Sequence, residues 1–365
     1  MNQQVRFCKS ADGVLIAYAS TGHGPPLVMS ATWLTHLEHQ WHSLAWQPWL
    51  ESLSQNRTLL RYDPRGCGLS DRSVTELSFE AWISDFEAVI DAAGYDHFPL
   101  LGVCQGGPIA IEYAARHPDR VEQLILYGTY ARGRSRRDGA PREAEKARLL
   151  LDLTQFGWGE ENHAFVQVWA SQFQPGGSLE HLRSWSKLQN VSTSAETAAK
   201  LMRVTFEIDV QEAARKVQCP TLVMHPERGL VVPIEEARIL ASLIPNARFL
   251  QLDGKNHMPL PDEPAWQTLL AAVWDFLPQP CPTADTTNLG ARFIDLTPRE
   301  HDVLNEIARG LDNPQIATRL GLSEKTVRNH ITQVFEKLGV ENRYQAIVLA
   351  REAGLGLTPK FPTSH

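Results

Sequence analysis

The sequence lacks the features that mark a membrane protein or a small secreted protein. No apolar run approaches the ~20 residues that a membrane-spanning helix requires. The opening residues, MNQQVRFCKS, have neither the basic nor the apolar segment of a signal peptide. The five cysteines are an odd number, widely scattered and without a CxxC pair, which argues against a disulfide framework or a zinc site. We therefore expect a cytoplasmic protein with no membrane contact, no bound metal and no cofactor.

The composition excludes a disordered chain, and the charge is unevenly distributed. Hydrophobic residues make up 43% of the 365 residues and charged residues 21%, which is ordinary for a globular protein. The net charge is −7, but residues 292–365 carry ten Lys and Arg against nine Asp and Glu. The remaining residues, 1–291, therefore hold a net charge of −8 and are poor candidates for nucleic-acid contact. DNA binding by the smaller part would have to come from positioned charges rather than from a polybasic tail.

The chain divides near residue 280 at a Pro- and Thr-rich stretch. We predict a linker at 278–291, because that stretch has no apolar periodicity. Before it, strand-like runs alternate with amphipathic stretches, which indicates crossover units and a mostly parallel sheet over residues 1–277. Residues 131–215 interrupt this rhythm and are typical of several helices inserted between two strands. The strand-like runs are 26–30, 58–63, 98–103, 121–128, 220–225 and 247–252.

The remaining residues indicate a small all-α domain at 292–358. Residues 296–353 read as four short helices. Thr297, followed by Pro298 and by Glu300 three residues on, is a capping box. Gly310, Gly321, Gly339 and Gly354 each follow a helical pattern, where a left-handed closing residue is needed.

A candidate nucleophile lies on a sharp turn between a strand and a helix. The motif is G-x-C-x-G-G at 102–107, with Cys104 at its centre. Such a turn forces the side chain to the top of the sheet, and glycines nearby avoid steric clashes. The helix N-terminus favours a developing anion, and the Gln105 N–H can donate to an oxyanion. The alternative is a tight turn that merely buries a thiol.

These residues resemble the nucleophile elbow of the α/β hydrolases, and the resemblance runs through Leu277. The segment 63–70 is similar to the family's D-x-R-G-x-G-x-S loop, and 254–257 is similar to its catalytic-histidine loop. The resemblance implies a mostly parallel sheet with helices on both faces, and a cap at about 131–215. It also implies that Cys104 and His257 are catalytic. The residues expected at the oxyanion and ligand pocket are Ala31, Trp33, His36 and Gln105.

Two positions depart from the family pattern. The family usually has serine at the elbow, whereas this chain has Cys104, a workable but different nucleophile. The aspartate of H-x-x-x-D-x-V-V-P is replaced by Gly229. Glu227 is the best substitute acid although it lies two residues early, and Asp253 and Asp262 are weaker ones. Since a histidine without a carboxylate is poorly oriented, we expect a relic or partial site; His257 could also be an ordinary loop histidine.

The C-terminal segment has the pattern of a helix-turn-helix. Val327, Ile331, Val334 and Leu338 are spaced as one buried stripe of a helix. The residues expected to contact DNA are Lys325, Thr326, Arg328, Asn329 and Thr332. Arg and Asn suit purine edges in the major groove, whereas Lys and Thr suit phosphates or either role.

This segment resembles the LuxR-type DNA-binding domain over about 65 residues. The matching motifs are L-T-P-R-E at 296–300, I-A-x-x-L at 316–320, S-E-K-T-V-R-N-H at 323–330 and K-L-G-V-x-x-R-x-x-A at 337–346. The resemblance implies binding to double-stranded DNA and a dimer contact through the fourth helix, 343–353. The alternative is a generic helical bundle.

Together the two resemblances predict a transcription regulator that senses a small molecule through a degenerate hydrolase-like pocket and acts as a homodimer. The competing hypothesis is an active cysteine-dependent esterase, lactonase or thioesterase coupled to DNA binding. A third is a sensor in which Cys104 is oxidised or attacked by electrophiles. Nothing in the sequence names the ligand or the operator.

Overall fold

The computed structural model describes residues 3–138, 140–158, 163–278, 296–340, 343–352 and 355. The chain splits into two compact units, Met1–Gln279 and Pro280–His365. Apart from Pro278, the predicted linker at 278–291 lies outside the described residues, as does Gly354.

The first unit is built on an eight-stranded sheet with the order β1-β2-β4-β3-β5-β6-β7-β8. From β4 through β3 to β8, each pair of neighbouring strands is parallel. The pairs β1 with β2 and β2 with β4 are antiparallel. All six predicted runs are strands. The strands are β1 Gln4–Lys9, β2 Leu15–Thr21, β3 Pro26–Met29, β4 Thr58–Tyr62, β5 Phe98–Val103, β6 Val121–Tyr127, β7 Thr221–Pro226 and β8 Ala247–Leu252.

Helices connect and cover the parallel strands. The helices are α1 Gln47–Leu53, α2 Phe79–Ala93, α3 Gly106–Arg116, α8 Gln211–Lys216, α9 Ile234–Leu243 and α10 Pro264–Phe276. The helix α2 shows how the local sequence sets its ends. The Ser78 hydroxyl accepts a hydrogen bond from the Ala81 N–H at 3.2 Å, and Gly94 closes the helix at φ +71°.

A helical insertion lies between β6 and β7, where the sequence predicted a cap. It contains α4 Ala140–Gly157, α5 His163–Phe173, α6 Leu179–Ser192 and α7 Ala195–Glu207. The pairs α4 with α7 and α5 with α6 pack together. Trp185 anchors α6: its ring stacks on Phe173 at 4.9 Å, and its Nε1–H donates to Gln174 Oε1 at 2.9 Å.

The second unit consists of short helices in its described part. They are α11 Pro298–Ala308, α12 Asn313–Leu320, α13 Glu324–Leu338 and α14 Arg343–Glu352. The predicted capping box between Thr297 and Glu300 is present. Gly310, Gly321 and Gly339 have φ between +64° and +84°, the left-handed closing conformation that their positions predicted. No helix in the described ranges combines the length and apolarity needed to cross a bilayer.

Candidate functional site

Cys104 stands on a strained turn between β5 and α3. Its φ is +51°, a left-handed conformation that is uncommon outside glycine. The turn can be this tight because its neighbours have no side chains. A Cβ on Gly102 would lie 2.8 Å from the Gly107 Cα, and a Cβ on Gly107 would lie 1.9 Å from Thr129 Oγ1. The sharp elbow that the G-x-C-x-G-G spacing predicts is therefore formed.

The surroundings of Cys104 do not activate its thiol. The residue is 8% exposed, and burial raises the pKa of the thiol to about 12. The backbone N–H of Gln105 and the charge of Arg137 both lower that pKa, but burial outweighs them. With this raised pKa, Cys104 is a protonated thiol near neutral pH. The thiolate, which is the nucleophilic form, is therefore scarce.

His257 is held firmly by backbone and ring contacts. Its N–H donates to the Phe173 carbonyl at 2.7 Å, and its own carbonyl accepts from the Tyr127 hydroxyl at 2.9 Å. The Phe173 ring meets the imidazole edge-on at 5.7 Å. Neither ring nitrogen has a hydrogen-bond partner among the described residues. Burial lowers the pKa of His257 to about 3, so the imidazole is neutral in the folded protein.

Cys104 and His257 face the same small cavity. Its volume is about 10 Å³, and Trp33, Trp46 and Phe173 also line it. A buried water needs about 10–15 Å³, so the space between thiol and imidazole is about one water in size. The structure thus brings together the two catalytic candidates without a direct hydrogen bond between them.

The expected acid is missing from this pair. Glu227, the candidate substitute, does not reach His257. Its side chain is 44% exposed and pairs with Arg228, which also binds Asp253 at 2.8 Å. Asp262 is exposed as well. Glu227 thus pairs at the surface, where Arg228 offers its carboxylate a cation.

The pocket beside Cys104 is larger and mostly aromatic or aliphatic. It has a cavity volume of about 80 Å³, well above the ~10–15 Å³ that a single buried water needs. The lining residues are Trp33, Cys104, Gln105, Tyr130, Gly133, Arg134, Arg137, Leu150, Trp169, Gln172, Phe173, Met202, Thr205, Phe206, Val231 and Val232. Trp33 and Gln105 were predicted at this site, and the cap supplies much of the rest.

Ala31 and His36 were also predicted here, but neither lines this pocket. Ala31 packs behind the turn, with its carbonyl oxygen 3.0 Å from the place of a Cβ on Gly106. His36 packs edge-on against His39 at 4.4 Å, and its pKa is lowered to about 4, chiefly by burial. The chain turns after β3, so only Trp33 of this segment reaches the cavity.

Sequence reasoning missed Arg137 and Tyr130. Burial lowers the pKa of Arg137, and its guanidinium lies 5.7 Å from the Tyr130 ring centre. The signal was the arginine-rich run 132–137 within an otherwise acidic unit. No group of three or more His, Cys, Asp or Glu side chains in the described ranges is arranged to hold a metal.

In the second unit, α13 presents the predicted polar face. Lys325, Arg328, Asn329 and Thr332 are exposed, and Thr326 is half-buried. On the opposite side, the predicted stripe is buried or partly buried in the core of this unit. Among the described residues, neither Lys325 nor Arg328 takes part in a salt bridge, so both cations remain available to a partner.

Lys337, at the other end of α13, is used inside the unit. Its Nζ donates to Glu300 Oε2 at 2.7 Å, and this pairing is the main reason that the pKa of Glu300 is lowered. Arg343 likewise donates to Asn313 Oδ1 at 2.9 Å and to the Leu311 carbonyl. Two basic residues of the K-L-G-V-x-x-R motif therefore fix the helices to one another.

Two family models match the chain. The model described as "alpha/beta hydrolase fold" covers residues 25–264, and "Bacterial regulatory proteins, luxR family" covers 295–350. Both matches agree with the resemblances found in the sequence.

Individual relatives are distant. A putative carbamate hydrolase RutD from Azorhizobium caulinodans is 29% identical over 58% of this chain and 78% of its own length. A pyrrolizixenacetamide deacetylase from Xenorhabdus hominickii is 25% identical over 68% of this chain and 91% of its own.

Solved structures show the same fold. An esterase from Exiguobacterium antarcticum has a TM-score of 0.63 at 22% identity, covering 75% of this chain and 99% of that one. An enol-lactonase from Burkholderia xenovorans has a TM-score of 0.57 at 24% identity, covering 74% and 99%. The hydrolase model alone spans well over half of the residues. The chain therefore belongs to the α/β-hydrolase fold family and carries, fused after that fold, a LuxR-type DNA-binding domain.

Proposed function

We propose that this protein is a transcription regulator whose hydrolase-fold unit binds a small molecule without efficiently turning it over. The LuxR-type domain supplies DNA binding, and the pocket beside Cys104 supplies a place for the ligand. Binding in that pocket would change dimerisation or the affinity of the second unit for DNA.

The observation that carries this proposal is the isolation of His257. A catalytic histidine needs a carboxylate to hold its ring and to stabilise its cation. Here both ring nitrogens are unpartnered within the described chain, and burial keeps the imidazole neutral. The thiol of Cys104 is buried and protonated as well. The pocket, by contrast, is open enough for a small organic molecule.

The second candidate function is an active cysteine hydrolase of the esterase, lactonase or thioesterase class. It is favoured by the left-handed Cys104 on its elbow and by the cavity shared with His257. The names of two relatives, a carbamate hydrolase and a deacetylase, also describe hydrolytic activity. A redox-sensing role for Cys104 has less support, because burial raises the thiol pKa whereas a reactive thiolate needs it lowered.

The expected partners follow from the second unit. We propose double-stranded DNA as the macromolecular partner and a homodimer as the binding form, with α14 at the dimer contact. Two copies of α13 would then enter successive major grooves about 10 base pairs apart. A DNA-binding regulator of this type would work in the cytoplasm.

Intact-protein mass spectrometry separates these functions. Wild type and Cys104→Ala are incubated with p-nitrophenyl acetate and with an acetyl thioester, and both are sampled over time. We expect no stable acetyl adduct and little product in either protein. An adduct on wild type that forms and clears with steady product release would instead establish the hydrolase. Oxidation of Cys104 to sulfenic acid by dilute peroxide adds one oxygen to its mass. If Cys104 is oxidised faster than a buried thiol such as Cys67, the redox sensor is favoured.

A further inference from the structure

We propose that the pocket beside Cys104 recognises a small monocarboxylate with an apolar body, and that Arg137 holds the carboxylate. This inference rests on the proposed ligand-binding function and names its ligand class. It comes from the position of a buried cation that the fold leaves incompletely paired.

The guanidinium of Arg137 is buried but not saturated. Its side chain is 9% exposed, and its Nε–H donates to the Arg132 carbonyl at 3.1 Å. Its Nη1 is buried and has no hydrogen-bond partner among the described residues. An unpaired donor on a buried charge is costly. Since Arg137 lines the pocket, a ligand in that pocket can supply the missing acceptor.

The carboxylate nearest to Arg137 is already engaged elsewhere. Glu236 Oε1 lies 3.9 Å from Arg137 Nε, beyond hydrogen-bond distance. The same oxygen accepts from Arg132 Nη2 at 3.0 Å, and Oε2 accepts from the Arg132 backbone N–H at 3.1 Å. The buried carboxylate of Glu236 thus lies near two guanidinium groups but hydrogen-bonds only that of Arg132. Arg132 also pairs with the exposed Asp138 at 3.0 Å, so both carboxylates hydrogen-bond Arg132 and neither hydrogen-bonds the guanidinium of Arg137, which a monoanionic ligand would pair.

The other cation at the pocket does not compete for the ligand. Arg134 pairs with Glu143, with Nη1 and Oε2 2.9 Å apart. A dianion such as a phosphate would therefore meet only one free guanidinium and would remain half-compensated. The charge of the pocket fits a single carboxylate.

The neutral polar groups of the pocket are also mainly donors. Trp33 Nε1, Trp169 Nε1 and the Tyr130 hydroxyl are buried and unpartnered in the described structure. The indole groups can only donate, and the hydroxyl can donate as well. Gln105 Oε1 is an unpartnered acceptor at the same site. A ligand rich in acceptor oxygens satisfies this arrangement better than one rich in donors.

The rest of the lining sets the size and character of the ligand body. Leu150, Phe173, Met202, Phe206 and Val231 are apolar, and about 80 Å³ is available. A single aromatic ring or a short alkyl chain fills such a space and removes apolar surface from water. Phenylacetate has both parts, a ring and one carboxylate, and its amide differs from it by little except charge.

The test compares matched ligands on the full-length protein by tryptophan fluorescence and calorimetry. The ligands are butyrate, octanoate, phenylacetate and indole-3-acetate, each with its primary amide. The proteins are wild type, Arg137→Gln, Arg137→Lys and Arg136→Gln. Arg136 is the matched control, because it is adjacent in sequence, 54% exposed and paired with Glu207.

We expect at least one of these carboxylates to bind wild type about tenfold or more tightly than its amide. Arg137→Gln should remove that preference while the amide binds as before, Arg137→Lys should keep part of it, and Arg136→Gln should keep all of it. Because the amide still binds Arg137→Gln, a misfolded variant would be recognised at once. Equal binding of acid and amide by wild type, an unchanged preference in Arg137→Gln, or no binding of any carboxylate at 10 mM overturns the proposal.

A second measurement keeps this outcome separate from the proposed function. The affinity of the full-length protein for a duplex selected by it from random sequence is measured with and without the bound carboxylate. A carboxylate that binds through Arg137 but leaves DNA affinity and oligomeric state unchanged upholds the binding site and refutes the sensing function. A neutral ligand that changes DNA affinity, when no carboxylate binds, upholds the sensing function and refutes the carboxylate site.

Discussion

The imidazole of His257 packs against Gly128, where an added Cβ atom would lie 2.7 Å from Cε1. The loop after β7 brings Gly229 close to a second buried histidine, since a Cβ on Gly229 would lie 3.7 Å from His225 Cε1. His225 is itself occupied, with its Nδ1 2.8 Å from the Pro226 carbonyl. His257 therefore packs among backbone and rings, and no carboxylate of the described residues hydrogen-bonds its ring nitrogens.

A carboxylate installed at position 229 should raise activity. We expect hydrolysis of p-nitrophenyl acetate by wild type to be weak or absent. Gly229→Asp should raise the Cys104-dependent rate by about tenfold or more, because an acid near His257 would orient and stabilise it. The new Cβ would lie 3.1 Å from Pro226 Cγ, so the loop must shift by a few tenths of an ångström. Initial rates under saturating ester measure the effect.

The double variant Gly229→Asp with Cys104→Ala is the control and should return to the background rate. Rapid wild-type hydrolysis that Glu227→Gln abolishes would contradict this view of the acid, because it would mean that Glu227 reaches the histidine in solution.

The first unit should lose stability as the pH falls below 6.5. The pKa of an unfolded histidine is ~6.5, whereas burial lowers that of folded His257 to about 3. Between these values the unfolded chain binds a proton that the folded protein does not. The free energy of unfolding therefore decreases as pH falls through this window. His36, whose pKa is lowered to about 4, acts in the same direction.

Urea unfolding followed by tryptophan fluorescence measures this effect, because all ten tryptophans lie at or before Trp274 and report on the first unit. His257→Gln should flatten the pH dependence between 7 and 5, whereas the exposed His23→Gln should leave it unchanged. A wild-type slope retained in His257→Gln would show that this histidine is not the buried neutral group.

Sequence-specific recognition of DNA bases should depend on Arg328. We expect Arg328→Ala to cost ~1–3 kcal/mol at the specific DNA site and to relax preference at one base position. Lys325→Ala should weaken all sequences alike and reduce the salt dependence, as a phosphate contact would. Titrations on specific and scrambled duplexes at two salt concentrations distinguish the two. An Arg328→Ala protein with unchanged affinity and preference would mean that another face of α13 enters the groove.

The ion pair between Lys337 and Glu300 should support the second unit rather than contact DNA directly. Lys337→Met leaves Glu300, whose side chain is 3% exposed, without its cation. We expect a loss of ~1–2 kcal/mol in the unfolding free energy of this unit, since a hydrogen bond between charged groups is lost. Thermal unfolding of a fragment that starts near residue 290, followed by circular dichroism, gives the value. The exposed Lys325→Met is the control; equal loss in both would contradict a structural role.

The two units should separate by function. A fragment from about residue 290 should fold and bind DNA weakly, whereas Val327→Asp within it should unfold it, because Val327 is fully buried. A fragment that ends near residue 280 should bind ligand and no DNA, given its negative charge. Retardation of DNA by that larger fragment at physiological salt would contradict this division.

Much of the architecture followed from local sequence. The strand runs, the caps at Ser78 and Thr297, and the glycines that close helices are short-range signals, and each acts through hydrogen bonds within a few residues. The elbow glycines around Cys104 are equally local, because the turn has no room for a Cβ. The hairpin of β1 and β2 was not singled out: β1 is an edge strand with mostly exposed residues, so no buried alternation marks it.

The partners and positions of the charged side chains depend on tertiary structure. Glu227 pairs with the adjacent Arg228 at the surface, Lys337 pairs with Glu300 of another helix, and Arg137 lines the pocket. Sequence spacing sets which residues are available near a site. Lys337 and Glu300 are 37 residues apart, so their pairing depends on the fold, because Coulomb attraction and desolvation act through space and not along the chain.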